Sequence, residues 1–334
     1  MESKKMKSKT LLAAAGIAAF AFSPAYANEG AGPQTKPGAL IGSSAGVPPP
    51  GIYMFNQVFT YQANLAGPGN GGNTRIGLHA NVDVQGFVFV PGWTFLGATY
   101  DAVIVQPWED VSVGTPASAQ FSGMFNTYLV PVELSWKLGT SGFAFKTGLG
   151  IYVPTGTETG TFKLGNVGAP YYTFQPEAIF SYVKDGWNLT AAVYAEINTA
   201  NSVTHYTSGD ILHADFTATK TIGKWTFGPV AYYYGQVTND SCPVSCIATG
   251  ESTLLHSGKF DVWAVGGLVA YDFGPAAFSV WATQEVSAKA SNTAAVAAGS
   301  ADPSTVTQGT TVFATLSYRL WAPDAPAQPA LFHK

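Results

Sequence analysis

The sequence predicts an all-β protein: an up-and-down antiparallel transmembrane barrel of about twelve strands, and three observations carry that expectation. Charged residues make up only 11% of the 334, aromatic residues make up 13%, and there are 37 glycines; ordinary soluble domains carry about 25% charge. Apolar and polar residues alternate with period two in segment after segment, as they do along strands with unlike faces. Tight turns and long links between those segments alternate in strict order, which is the plan of a barrel with short turns at one rim and long loops at the other.

The chain opens on Lys4, Lys5, Lys7 and Lys9, then the apolar run "LLAAAGIAAFAF" (11–22), then "SPAYA" ending at Ala27. A charged region, a short apolar region and a small-x-small site make a cleaved export signal. As a helix the run rises only ~18 Å, too short for a ~30 Å hydrocarbon core. Setting residues 1–27 aside leaves 12 basic against 19 acidic residues. That balance offers no basic footprint for nucleic acid. No run of ~20 apolar residues follows, so a helical span is not expected.

Residues 28–50, "NEGAGPQTKPGALIGSSAGVPPP", have no period and read as a flexible Pro- and Gly-rich leader. A segment folded back into the barrel mouth from the periplasmic side is the alternative. Strands are expected near 51–62, 74–90, 94–105, 121–137, 142–153, 171–183, 187–199, 210–221, 225–237, 259–273, 276–287 and 309–321. "PGW" (91–93), "LGTSG" (138–142), "KDG" (184–186), "IGK" (222–224) and "FGP" (273–275) are the tight turns. The long links are 63–73, 106–120, 154–170, 200–209, 238–258 and 288–308. An even strand count leaves both termini at the short-turn rim. After Trp321, residues 322–334 form a Pro- and Ala-rich tail.

Which parity meets lipid follows from cost: Arg or Lys on the lipid face is unfavourable by ~2–4 kcal/mol at mid-membrane. Ile76, Leu78, Val82, Val84 and Val88 are therefore expected outside, and Arg75, His79 and Asp83 in the lumen. The same rule puts Val130, Val132, Phe145, Phe180, Val193 and Leu316 outside, and Glu133, Lys146, Gln175, Glu177, Glu196, His213, Asp215 and Arg319 inside. Trp93, Trp136, Trp187, Trp225 and Trp321 sit at strand ends, where interfacial girdles belong. The strands at 51–62, 225–237 and 259–273 do not separate cleanly into two faces.

Chemistry-bearing motifs are few. Cys242 and Cys246 in an exported chain read as a disulfide, and two ligands without a nearby His are too few for a metal. Ser208, His213 and Asp215 have triad residue types, but no G-x-S-x-G elbow accompanies them, and a lumen hydrogen-bond network is the plainer reading. The inward charges are of mixed sign, unlike the single-sign ring of a strongly ion-selective pore. Twelve strands leave room for something small, between filled eight-stranded and open sixteen-stranded barrels. Tyr232, Tyr234 and Gln236 face the lumen in this reading, and the tyrosines either stack on a flat apolar solute or pack the interior.

"PPPGIYMFN" (48–56), "YVPTGTE" (152–158), "YYTFQPEAIFSY" (171–182), "AEINTANSVTHYTSGDILHADFTATK" and "WTFGPVAYYYGQVTND" together resemble the MetA-pathway phenol-degradation-like outer-membrane proteins. In those blocks Asn198, Tyr206, Ser208, Gly209, Asp215, Gly228, Tyr233, Gln236 and Asp240 fall on the family's pattern, over about residues 48–321. The resemblance implies an outer-membrane barrel of a Gram-negative cell, carrying hydrophobic or aromatic small molecules inward without enzymatic activity. The Cys242–Cys246 loop and the Pro-rich tail depart from the pattern. The expected function is thus passive uptake of small solutes, with a non-conducting barrel acting through its loops as the alternative. No cofactor or metal is expected. Outer-membrane lipid, a small solute and the barrel-assembly machinery are the expected partners, and nucleic acid is not among them.

Overall fold

A computed structural model describes residues 32–70, 76–115, 118–157, 167–248 and 258–323. Alternation becomes strand throughout. In order come β1 (Gly51–Ala66), β2 (Gly77–Val90), β3 (Thr94–Phe95), β4 (Ala98–Val113), β5 (Ala119–Met124), β6 (Thr127–Lys137) and β7 (Phe143–Val153). They are followed by β8 (Thr173–Lys184), β9 (Trp187–Asn198), β10 (Ile211–Ile222), β11 (Trp225–Gln236), β12 (Lys259–Asp272), β13 (Ala276–Ser291) and β14 (Val306–Trp321). Two short helices, α1 (Val244–Ile247) and α2 (Thr293–Ala297), lie in connections at the loop rim.

Each of the twelve wall strands pairs antiparallel with the next along the wall, β4 with both β2 and β6, while β3 and β5 pair only with β4, and β1 pairs along its length with β14. The result is a closed twelve-stranded barrel with β3 and β5 as additions. Closure leaves no long unpaired edge, the requirement for backbone that is to sit in hydrocarbon.

Two connections differ from expectation. The chain after β2 forms a small hairpin, with Thr94 and Phe95 paired to Thr99 and Ala98 around Leu96 and Gly97, both at positive φ, as a right-twisted two-residue turn requires. Residues 106–113, read as part of the long link 106–120, continue β4 and pair with both β2 and β5. The link from β4 to β6 is thus shorter than read and holds β5, but it remains a long connection at the loop rim, so the short–long alternation stands.

Facing follows the lipid rule on most of the wall. Val132, Phe145, Phe180, Leu189, Ile197 and Leu316 point outward and are exposed or half-exposed, while Glu133, Lys146, Gln175, Glu177, Thr190 and Glu196 are buried inside. Trp93, Trp187, Trp225 and Trp321 ring the short-turn rim. Val130 is an exception: a register shift between Leu129 and Val132 turns it inward, 2% exposed.

On β2 the facing is the reverse of that expected, and the adjoining inward sides of β1 and β4 are largely apolar with it. Ile76, Leu78 and Ala80 are buried with Tyr61, Ala63, Leu65, Val111 and Val113 in one apolar cluster, and Val82 is buried as well. His79, Asn81, Asp83 and Gln85 point out. The alternation was right and the side was wrong, because a filled lumen offers apolar side chains an interior of their own.

Candidate functional site

The lumen is occupied. Residues 32–50, expected as a flexible leader, run down the inside of the barrel from the loop rim to the short-turn rim and lead into β1. Their glycines and small residues leave backbone N–H groups bare, and the inward carboxylates take them. Glu196 accepts from the backbone of Gln34 (2.7 Å) and Thr35 (2.9 Å). Asp215 accepts from Gly38 (2.9 Å) and Leu40 (3.2 Å). Below them Gly42 donates to Thr217 Oγ1 and Ala45 to Ser181 Oγ, and Ser135 Oγ donates back to the Ala45 carbonyl. Trp281 Nε1 donates to the Gly38 carbonyl at 2.9 Å. Hydrogen bonds to charged acceptors are the stronger kind, ~1.5–3 kcal/mol net each. Two carboxylates on neighbouring strands thus hold four amides of this plug.

A third carboxylate serves the opposite wall. Glu285 accepts from the hydroxyls of Tyr61 and Tyr232, each at 2.8 Å, and from the Gly309 amide at 2.7 Å. Lys36 of the plug lies 3.7 Å from Glu285 and 3.6 Å above the Tyr61 ring centre. Lower in the lumen Lys146 bridges Asp101 (3.2 Å) and Glu133 (2.9 Å).

Of the residues singled out from sequence, Glu196, His213, Asp215, Tyr232, Tyr234 and Gln236 face the lumen, as does Glu177. His213 stacks on Tyr194 with centroids 4.7 Å apart and lies 3.5 Å from Glu196. Gln236 bonds Asp240 in the loop-rim network that also holds Tyr206 and the Gly209 amide. Both oxygens of Asp215 are committed to plug amides, which leaves the triad reading of Ser208, His213 and Asp215 without its orienting acid. His79 and Asp83 are corrections: both lie on the outer wall, His79 bonded to Thr60 and Asp83 to Asn56. Arg75 lies outside the described residues. Cys242 and Cys246 are disulfide-bonded around α1.

Sequence reasoning missed the plug residues themselves, because amide–carboxylate pairs about 160 positions apart leave no periodic signal. It also missed what the plug leaves free. The plug packs Ile41 against β10–β14 with Tyr232, Leu268 and Trp281, so the space that remains lies on the other side, against β1, β2, β4 and β6. This cavity of about 490 Å³ is walled mostly by apolar side chains such as Phe55, Val82, Val84, Val103, Val105 and Val130, faces Ala39 and Leu40 of the plug, and has Glu109, Glu133, Lys146 and Glu177 among its lining. Gly86 makes part of that wall possible: a Cβ there would strike the Phe55 ring. The apolar inward residues of β1, β2 and β4 are what make the cavity mostly apolar.

Comparison with known proteins agrees with this architecture. The family model described as "Putative MetA-pathway of phenol degradation" matches residues 63–301, and the chain belongs to that family. No curated protein matches the sequence. Among solved structures, the COG4313 outer membrane channel from Pseudomonas putida F1 superposes with a TM-score of 0.63 at 10% identity, covering 85% of this chain and 99% of that one. The translocator domain of autotransporter NalP from Neisseria meningitidis gives 0.44 at 11% identity, covering 81% and 88%. The CymD monoaromatic hydrocarbon channel gives 0.39 at 8% identity, covering 83% and 90%. The first of these shares the fold; the other two are too distant to add to it.

Proposed function

We propose that this family member is an outer-membrane channel for passive uptake of small apolar or aromatic molecules, held closed by residues 32–50. One observation carries the reading: a cavity of about 490 Å³, lined mostly by apolar side chains with a few charged ones, inside a closed barrel with a mostly apolar exterior. Binding sites for small ligands are typically ~300–1,000 Å³ and mostly apolar, with a few polar groups. An interior built only to close a pore gains nothing from valines lining an empty space. Passage needs the plug to shift, since it lies across the lumen beside the cavity.

The plug also favours a second reading, a barrel that conducts nothing and acts through its loops. Uptake by proteoliposomes separates the two. Reconstituted protein is expected to admit toluene-sized aromatic solutes faster than protein-free liposomes and to admit sugars of similar mass poorly. Equal rates for both liposome preparations would sink the channel reading and leave the second.

A further inference from the structure

We propose that the cavity between plug and wall takes amphiphilic amines, solutes with a small apolar or aromatic body and one protonated amino group. The proposal rests on the channel reading and names the polar half of its solutes. Charge on the cavity lining does not balance. Glu109, Glu133 and Glu177 stand against two cations, Lys36 and Lys146, and both of those are engaged. Lys36 pairs with Glu285 at 3.7 Å, and Lys146 is shared between Glu133 at 2.9 Å and Asp101 at 3.2 Å. Glu109 and Glu177 are left without a cation among the described residues. The described residues offer no cluster suited to a metal ion, and the apolar part of the lining favours a cation that carries a hydrocarbon body.

Register explains how the carboxylates come together. Glu133, Gly148, Glu177 and Tyr194 are successive partners in one row across β6, β7, β8 and β9. Gly148 is the gap in that row: a Cβ there would lie 2.8 Å from Glu177 Oε1 and 2.9 Å from Glu133 Cγ. Its missing side chain lets two carboxylates close over the same backbone, where like charges oppose each other. Lys146 donates to Glu133 and Asp101, not to Glu177. Glu177, 6% exposed, keeps Oε1 without a hydrogen-bond partner, and its register partner Tyr194 has its hydroxyl buried without one as well. Buried polar atoms are ordinarily bonded, so two such atoms on paired residues of one cavity wall mark a place for a donor. An ammonium brings three N–H donors and a positive charge, which suits a carboxylate and a phenol oxygen together. Val82, Val84, Val103 and Val105 are there to receive a ring or a short alkyl chain. Glu109, beside Val82 on β4, adds to the negative field over that apolar part. A neutral hydroxyl cancels none of this charge, and a carboxylate is repelled by it.

Isothermal titration calorimetry of the full chain in detergent tests this with three solutes of similar shape, benzylamine, benzyl alcohol and benzoate, each corrected for its heat of mixing with protein-free micelles. At neutral pH the first is positively charged, the second neutral and the third negative. Benzylamine is expected to bind at least tenfold tighter than benzyl alcohol, with benzoate the weakest of the three. Glu177→Gln is expected to bring benzylamine down to the level of benzyl alcohol and to leave the alcohol unchanged. Should that variant fail to give a heat-modifiable barrel, Glu109→Gln, which breaks no ion pair, is expected to lower benzylamine affinity several-fold. Equal affinity for amine and alcohol, no binding of any of the three, or an amine preference unchanged in every variant that folds, overturns the proposal. Uptake separates this failure from that of the channel reading. Neutral aromatic solutes entering proteoliposomes no faster than protein-free liposomes sink the channel; faster entry without an amine preference sinks the amine assignment alone.

Discussion

Asp215 and Glu196 show how much two side chains can decide. Each sits fully inside, and each is bonded to two consecutive or near-consecutive amides of the plug. Replacing Asp215 by Ala leaves the amides of Gly38 and Leu40 without acceptors in a dry lumen, at ~1–3 kcal/mol apiece. We expect Asp215→Ala to raise the open probability of single channels in planar bilayers by tenfold or more, since ~1.4 kcal/mol is a factor of ten. Unchanged gating would show that these bonds do not hold the plug. Gly38 makes an independent case. Its φ of +87° is unfavourable for residues with a side chain, and a Cβ there would come within 2.8 Å of the Tyr232 ring. Gly38→Val is expected to displace the plug likewise, read as faster cleavage of the N-terminal segment by added protease while the barrel stays resistant.

The elements differ in how far the sequence discloses them. Strands β7 to β10 were legible in both period and side, because each contrasts Phe, Leu or Val with Lys, Glu, Gln or His on the other parity and the lipid rule then chooses the outer face. On β2 the same alternation was legible but the rule chose wrongly, and on β1 the two faces did not separate at all. Period tells which residues share a face; it does not tell which face is inside, and Val82 or Val84 is as well buried against a plug as against lipid. β4 was cut short because residues 106–120 were read as one long link, whereas Pro107 and Glu109 continue the strand with their side chains on the lumen side. Substitution can settle the facing. Val84→Glu is expected to leave a folded, heat-modifiable barrel, because the new carboxylate reaches a cavity, and to reduce aromatic uptake sharply. Val269→Glu on β12 points at lipid and is expected to reduce the folded fraction through a penalty of order 2 kcal/mol. Equal folding defects in both would return β2 to the orientation first read from the sequence.

At the scale of the molecule, wall and plug are separate structures with different sources of stability. The wall is closed by its own ladder: β1 and β14 are paired from Ile52–Trp321 to Ala66–Val306, and none of those bonds passes through the plug. The plug, in contrast, has no secondary structure of its own beyond turns and depends wholly on side chains that the wall turns inward. Deleting residues 32–46 should therefore leave a barrel that still folds and migrates as one, since the interstrand bonds and the lipid-facing surface are untouched. What changes is the lumen. Glu196, Asp215, Thr217 and Ser181 lose their partners and become water-lined, and the apolar pocket against β2 and β4 opens into a continuous passage. The deletion variant is expected to show stable conductance steps where the full chain is mostly silent, and to admit sugars as well as aromatic solutes, because selectivity in the full chain comes from the narrow space between plug and wall. A folded but still silent deletion variant would mean that the loop rim, and not the N-terminal segment, closes the pore.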